Sequence, residues 1–166
     1  MNRIEKITTE DPKKFYDYLN LNLKGLIAEE KDWLANLANA SGLLYLLMDN
    51  INWAGFYLYK EEELILGPFQ GKPACTRIEI GSGVCGTAAN TFETQVVEDV
   101  NAFPGHIACD PDSQSEIVVP MIREGKLIGV LDIDSPIKNR FNEIDREYLE
   151  KFVEIILNHR EIPLSY

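Results

Sequence analysis

The 166 residues are the length of one ordinary domain, and 45% apolar with 26% charged side chains is the balance of a soluble globular protein with a sizeable core. A formal charge of −11 with scattered basic residues repels phosphate backbones and anionic lipids, so neither nucleic acid nor membrane is an expected partner. No run is apolar enough to span a bilayer, residues 1–10 lack a secretory-type hydrophobic stretch, and three cysteines, an odd number, argue against a disulfide framework; a cytoplasmic, reducing setting is expected.

Residues 11–49 read as two helices. Asp11-Pro12 supplies a cap and a proline at the first helical position, and Phe15, Tyr18, Leu19 and Leu26, then Trp33, Leu34, Leu37, Ala38, Leu44 and Met48, recur at helical spacing, with a break at Glu29-Glu30-Lys31-Asp32. From residue 52 the period changes to two. Residues 53–59 and 63–66 read as strands around Lys60-Glu61-Glu62, residues 67–73 as a loop rich in glycine and proline, and residues 75–80 as a further strand. A short helix is expected from Val84 to Thr91, a brief strand at 95–97 and a long loop over 100–115. Strands 116–122 and 126–134 follow, and then a helix opened by Asn142 with Asp145 three residues on, its apolar stripe being Ile144, Tyr148, Leu149, Phe152, Val153 and Ile156. The pattern predicts one α+β domain over residues 1–166, an antiparallel central sheet flanked by N- and C-terminal helices.

Chemistry-bearing residues fall in two groups. A three-residue turn, Arg123-Glu124-Gly125, predicts that Glu116 lies opposite Asp132, with Asp134 on the same face, so that three carboxylates converge. Like charges gathered on one face are destabilising unless a proton, a bound ammonium group or a metal cation compensates them. The second group is the cysteines. Cys85, at the start of the short helix, reads as a small packing residue, whereas Cys75 and Cys109 lie beside loops, where thiols reach substrates and each other. That pattern suits a nucleophile with a resolving partner. No C-x-x-C spacing exists and His106 with Cys109 is the sole short pair, so no metal ligand set is expected; His106 is as well explained by shaping its loop as by pairing with a thiol.

Five segments carry a family resemblance: Gly67-Pro68-Phe69-Gln70-Gly71-Lys72-Pro73-Ala74-Cys75, Gly83-Val84-Cys85-Gly86-Thr87-Ala88, Phe103-Pro104-Gly105-His106-Ile107-Ala108-Cys109-Asp110, Ser115-Glu116-Ile117-Val118 and Gly129-Val130-Leu131-Asp132-Ile133-Asp134-Ser135. Together they resemble the free methionine-(R)-sulfoxide reductases, stand-alone GAF-domain enzymes. The resemblance implies a GAF-like fold, Cys109 as nucleophile, Cys75 as the resolving cysteine that forms a disulfide with it, and Cys85 as an auxiliary third thiol. It implies Trp53 and Tyr57 as pocket residues for the thioether end of the substrate, and Glu116, Asp132 and Asp134 as its polar contacts and proton source. It further implies no bound cofactor, recycling by thioredoxin with its NADPH-dependent reductase, and a homodimer. Two other readings share the fold or the thiols: a GAF module that binds a small molecule to regulate a partner, and a thiol redox switch without turnover.

Overall fold

The computed structural model describes residues 3–107 and 109–159. Two helices, α1 (Pro12–Ile27) and α2 (Trp33–Leu47), precede β1 (Trp53–Lys60), β2 (Glu63–Gly71) and β3 (Arg77–Glu79). Helix α3 (Gly83–Thr91), strand β4 (Gln95–Val97) and a 3-10 turn (Val100–Ala102) lead to β5 (Ser115–Arg123), β6 (Lys126–Ser135) and α4 (Glu143–Leu157). Among the described residues all five strand pairings are antiparallel, in the order β3-β2-β1-β6-β5-β4, which is the expected α+β architecture.

The caps work as their residue types dictate. Asp11 accepts from Lys13 N at 3.0 Å and Asp32 from Ala35 N at 2.8 Å, which places the helix break at the acidic cluster. Asn142 and Asp145 form a reciprocal capping box at the start of α4.

Two segments differ from the sequence expectation. Strand β2 runs on to Gly71 because Gln70 and Phe69 pair with Ala54 and Gly55 of the central strand β1; an edge-to-centre partner overrides the local turn chemistry of Gly67-Pro68. Only Arg77–Glu79 of the 75–80 stretch is strand, since Cys75 is drawn away toward the loop that holds Cys109.

The sheet has two dissimilar faces. Ala54, Phe56, Leu58, Ile117, Val119, Met121, Leu131 and Ile133 pack on one side in the main core with residues of α1, α2 and α4. The other face is covered by α3, and there Trp53, Tyr57, Val118 and Val130 form a second cluster with Val84, Cys85, Ala88 and Ala89. Alternation along the strands therefore decides which residues reach the second face.

The β5–β6 hairpin sets that alternation, and it does so differently from the expected register. Its turn has two residues, Glu124 and Gly125, both at positive φ (51° and 74°), with Arg123 opposite Lys126. Continued unbroken, that register would set Glu116 opposite Ile133 and turn its carboxylate toward the apolar core. A bulge between Met121 and Ile122, with Ile128 as the extra residue, restores the parity, and Glu116 lies opposite Asp134 rather than Asp132.

Next to the bulge, Gly129 leaves no room for a side chain. A Cβ there would lie 2.2 Å from the Tyr57 carbonyl oxygen and 3.1 Å from Leu58 Cα, both of them backbone in the adjacent strand. We expect Gly129→Ala to destabilise the fold by about 3 kcal/mol, read as a melting temperature lower by roughly 6–12 °C.

Candidate active site

Strand pairing brings the site residues together. On β1, Trp53 and Tyr57 share a face; on β6, Asp132 and Asp134 are paired with Gly55 and Trp53 and so stand on that same face, and Glu116 of β5 joins them opposite Asp134. The Trp53 ring stacks on Tyr57 at 5.9 Å and on Phe69 at 5.2 Å between centroids. Gly55 permits this, because a Cβ at that position would lie 2.3 Å from Phe69 Cβ and 2.8 Å from the Trp53 ring. Trp53 Nε1 donates to the Lys72 carbonyl at 3.1 Å and the Tyr57 hydroxyl to the Cys75 carbonyl at 3.0 Å, so both rings also hold the segment that carries Cys75.

Above this floor, Cys75 and Cys109 are joined in a disulfide, with Cα atoms 5.6 Å apart. Both are half-buried. The bond ties the segment after β2 to the segment after the 3-10 turn and closes a cavity of about 30 Å³, room for one or two waters. Trp53, Tyr57, Cys85, His106, Cys109, Glu116, Asp132 and Asp134 all line it. Every site residue named from the sequence except Cys75 therefore faces one cavity, and Cys75 is bonded to a residue that does.

The electrostatics of that cavity follow from burial. Glu116 and Asp132 are each only 6% exposed. Desolvation, with the neighbouring acids adding to it, pushes Glu116 well above the usual carboxylate range. Burial likewise raises Asp132, to about 7, and raises Asp134, to which Asp132 and Asp110 add repulsion. Asp132 Oδ1 is buried without a hydrogen-bond partner, an acceptor waiting for a donor. The cluster consequently holds protons near neutral pH and can release one on meeting a cation.

Cys85 is buried and unbonded to other sulfurs. Its thiol donates to Glu116 Oε1 at 3.9 Å, and burial among the acids raises its pKa well above the ordinary value, so it stays a thiol. Cys85 packs in the second cluster with Val84, Ala88 and Ala89, and its sulfur faces Glu116. Cys85, Glu116 and Asp132 offer atoms within 4.8 Å of one another, which is equally the spacing of groups sharing protons, and no close-spaced ligand pair in the sequence argues for a metal centre.

His106 does more than shape its loop. Its Nε2 lies 3.8 Å from Glu116 Oε2, and burial lowers its pKa, leaving a neutral imidazole in the cavity wall. Beside Cys109, Asp110 is anchored from three sides: Asp112 N donates to it at 2.9 Å, Asn52 Nδ2 at 3.1 Å and Lys72 Nζ at 3.3 Å, and these bonds hold its carboxyl below the usual range. Lys72 also pairs with Asp112. Nothing in the spacing of Asn52 or Lys72 singled them out, because both act through contacts between segments that are distant in the chain.

The GAF domain family matches residues 41–158. The free methionine-R-sulfoxide reductase of Escherichia coli is 52% identical over 84% of this chain and 85% of its own length. The free methionine-R-sulfoxide reductase of Saccharomyces cerevisiae is 50% identical over 87% of this chain and 84% of its own. The crystal structure of the Neisseria meningitidis free methionine-R-sulfoxide reductase in complex with its substrate superimposes with a TM-score of 0.91 at 42% identity, covering 95% of both chains. The chain belongs to the free methionine-R-sulfoxide reductase family. The family's GAF fold is the α+β sheet described above, and each segment that carried the resemblance in the sequence lends residues to the cavity wall: the stretch after β2, the start of α3, the Cys109 segment and the facing ends of β5 and β6.

Proposed function

We propose that this chain reduces free L-methionine-(R)-sulfoxide to L-methionine, with Cys109 as nucleophile and Cys75 as resolving cysteine. The observation that carries the reading is the Cys75–Cys109 disulfide across a cavity floored by the carboxylates of Glu116, Asp132 and Asp134, the first two of them buried, and walled by Trp53 and Tyr57. With the disulfide opened, the Cys109 segment can move and enlarge the cavity for a substrate. The thioether end packs on the Trp53 and Tyr57 rings, and the ammonium group meets the acid cluster.

The acids also explain how the oxygen leaves. A sulfoxide oxygen departs only once protonated, and a carboxyl group kept protonated by burial beside other acids is a proton source at neutral pH. Cys109 attacks the sulfur and forms an S–S bond; the protonated oxygen then passes to the Cys109 sulfur as the substrate's S–O bond and the new S–S bond break, and methionine departs with the sulfur's electron pair, leaving a Cys109 sulfenic acid. The Cys75 thiol condenses with that sulfenic acid, giving the disulfide and water. A thioredoxin-type dithiol then reopens the disulfide by exchange, itself being oxidised, and NADPH through its reductase restores it. Cys85 remains a buried thiol beside the acids throughout.

Free amino acid is preferred over protein-bound methionine sulfoxide because buried acids left without an ammonium partner disfavour a peptide, whose nitrogen is uncharged. The single domain working in a reducing compartment, and a pair of such chains as the assembled form, accord with the same reading. Among the described residues no helix is long and apolar enough to cross a membrane.

The test is direct. Purified protein is supplied with the separated epimers of free methionine sulfoxide, thioredoxin, its reductase and NADPH. NADPH loss with the R epimer, and little with the S epimer or with a sulfoxide-containing peptide, is expected. No loss with the R epimer would sink the enzyme reading and favour a binding module or a redox switch.

A further inference from the structure

A second tie crosses the gap that the disulfide bridges. Lys72, three residues before Cys75, reaches over it: its Nζ donates to Asp110 Oδ1 at 3.3 Å and pairs with Asp112. Asp110 follows Cys109 directly in the chain. Its Oδ1 also accepts from Asp112 N at 2.9 Å, and its Oδ2 accepts from Asn52 Nδ2 at 3.1 Å. Asn52 is fixed in turn by its backbone N–H, which donates to the Asp134 carbonyl at 3.0 Å. The Asp110 carboxylate is thus gripped by the Cys75 segment through one oxygen and by the start of β1 through the other.

The two cysteines are held by different means. The Cys75 segment is pinned to the cavity floor without help from sulfur, since Trp53 Nε1 donates to the Lys72 carbonyl and the Tyr57 hydroxyl to the Cys75 carbonyl. Cys109 N donates to the Ile107 carbonyl at 3.0 Å, a contact inside its own segment, so its place relative to Cys75 is set through Asp110. Further on, Gln114 N donates to the Ser135 carbonyl at 2.7 Å, which anchors the chain to β6.

Disulfide formation is a loop closure, and its entropic cost depends on how freely the two ends roam. The disulfide joins positions 34 residues apart, and the Lys72–Asp110 pair closes nearly the same loop, 38 residues. With the pair made, only the few bonds from Lys72 to Cys75 and from Asp110 to Cys109 separate the sulfurs. Two ties across one gap favour each other reciprocally: the ion pair raises the effective concentration of one thiol at the other, and the disulfide strengthens the ion pair. The Lys72 side chain is 58% exposed against 6% for Asp110, so salt reaches the pair and weakens it.

We propose that Lys72, through its grip on Asp110, is a positioning residue for the resolving step: it keeps Cys109 in register with Cys75, so that the sulfenic acid is captured once methionine has left. In that step the Cys75 sulfur bonds to the Cys109 sulfur, the Cys109 S–O bond breaks, and the oxygen leaves as water with the Cys75 thiol proton. Opening for substrate is confined to the residues before Cys109, with Asp110 as their fixed end. This rests on the reductase reading of the site.

Lys72→Met keeps the length of the side chain and removes its charge. In rapid-quench experiments with the R-sulfoxide it is expected to form the first methionine at the parental rate. Disulfide closure, followed as the decay of dimedone-reactive sulfenic acid, slows about fivefold. Lys72→Arg restores closure, and about 1 M sodium chloride slows the parent toward the Lys72→Met rate while leaving that variant unchanged. Parental closure in Lys72→Met, or an equal loss of first methionine and of closure, would overturn the proposal. Equilibration with reduced and oxidised glutathione keeps it separate from the enzyme reading. There the protein dithiol is oxidised to the disulfide as glutathione disulfide is reduced to its two thiols, with no sulfoxide present. The value of [GSH]²/[GSSG] at half-oxidation is expected to be about fivefold lower in Lys72→Met than in the parent. An unchanged value sinks the positioning role whether or not the protein turns over sulfoxide.

Discussion

Cys109→Ser is expected to abolish methionine formation, including the first turnover, with a loss of at least about a thousandfold. A serine hydroxyl has no thiolate form at neutral pH and attacks sulfur poorly, so the step that cleaves the S–O bond has no substitute nucleophile. Cys85 cannot stand in, since burial among the acids holds it protonated. Cys75→Ser separates the two halves of the cycle. It should release one methionine per chain in a rapid-quench experiment and then stop, leaving a Cys109 sulfenic acid that a dimedone probe labels. Methionine released by Cys109→Ser would transfer the nucleophile's role elsewhere. Full thioredoxin-dependent recycling by Cys75→Ser would remove the resolving role from Cys75, despite the disulfide it forms with Cys109.

Neutralising the acid cluster should trade activity for stability, in a pH-dependent way. The folded protein raises Asp132 to about 7 through burial, against an unfolded value near 4. A group whose folded-state pKa is raised binds its proton more tightly when folded. Its stabilising contribution is complete below the unfolded pKa and is lost as pH climbs through the folded one, here between about pH 4 and pH 7. Asp132→Asn removes that loss while keeping the shape. We expect it to melt higher than the parent at pH 8, by about 4–8 °C for roughly 2 kcal/mol, with the gap closing toward pH 4. Its kcat/KM should fall by about a hundredfold or more, because the site loses a charge that the ammonium group requires. An Asn variant destabilised equally at pH 4 and pH 8 would mean that Asp132 holds the fold rather than the substrate.

The thiols and the acids became visible in the chain for different reasons. Loop placement alone raised Cys75 and Cys109 as a thiol pair, because segments rich in glycine and proline keep thiols out of the core, although their pairing came from the family resemblance. The acid face was legible through geometry instead. Side-chain alternation has a period of two, so a register wrong by two residues still puts Glu116, Asp132 and Asp134 on one side. The two-residue turn and the bulge at Ile128 were not legible, since a bulge answers to the partner strand, which here presses on Gly129.

By itself, then, the sequence determined the helices, through caps such as Asp32 and Asn142 and through apolar spacing, and it determined which faces the strand residues share. These are local properties, set by backbone sterics and by where apolar side chains recur. Only the tertiary structure decided that His106 borders Glu116 and that Lys72 and Asn52 both reach Asp110. Those contacts join residues up to 58 positions apart, Asn52 with Asp110 among them, and they form because closing the cavity buries polar groups that must find partners across segments.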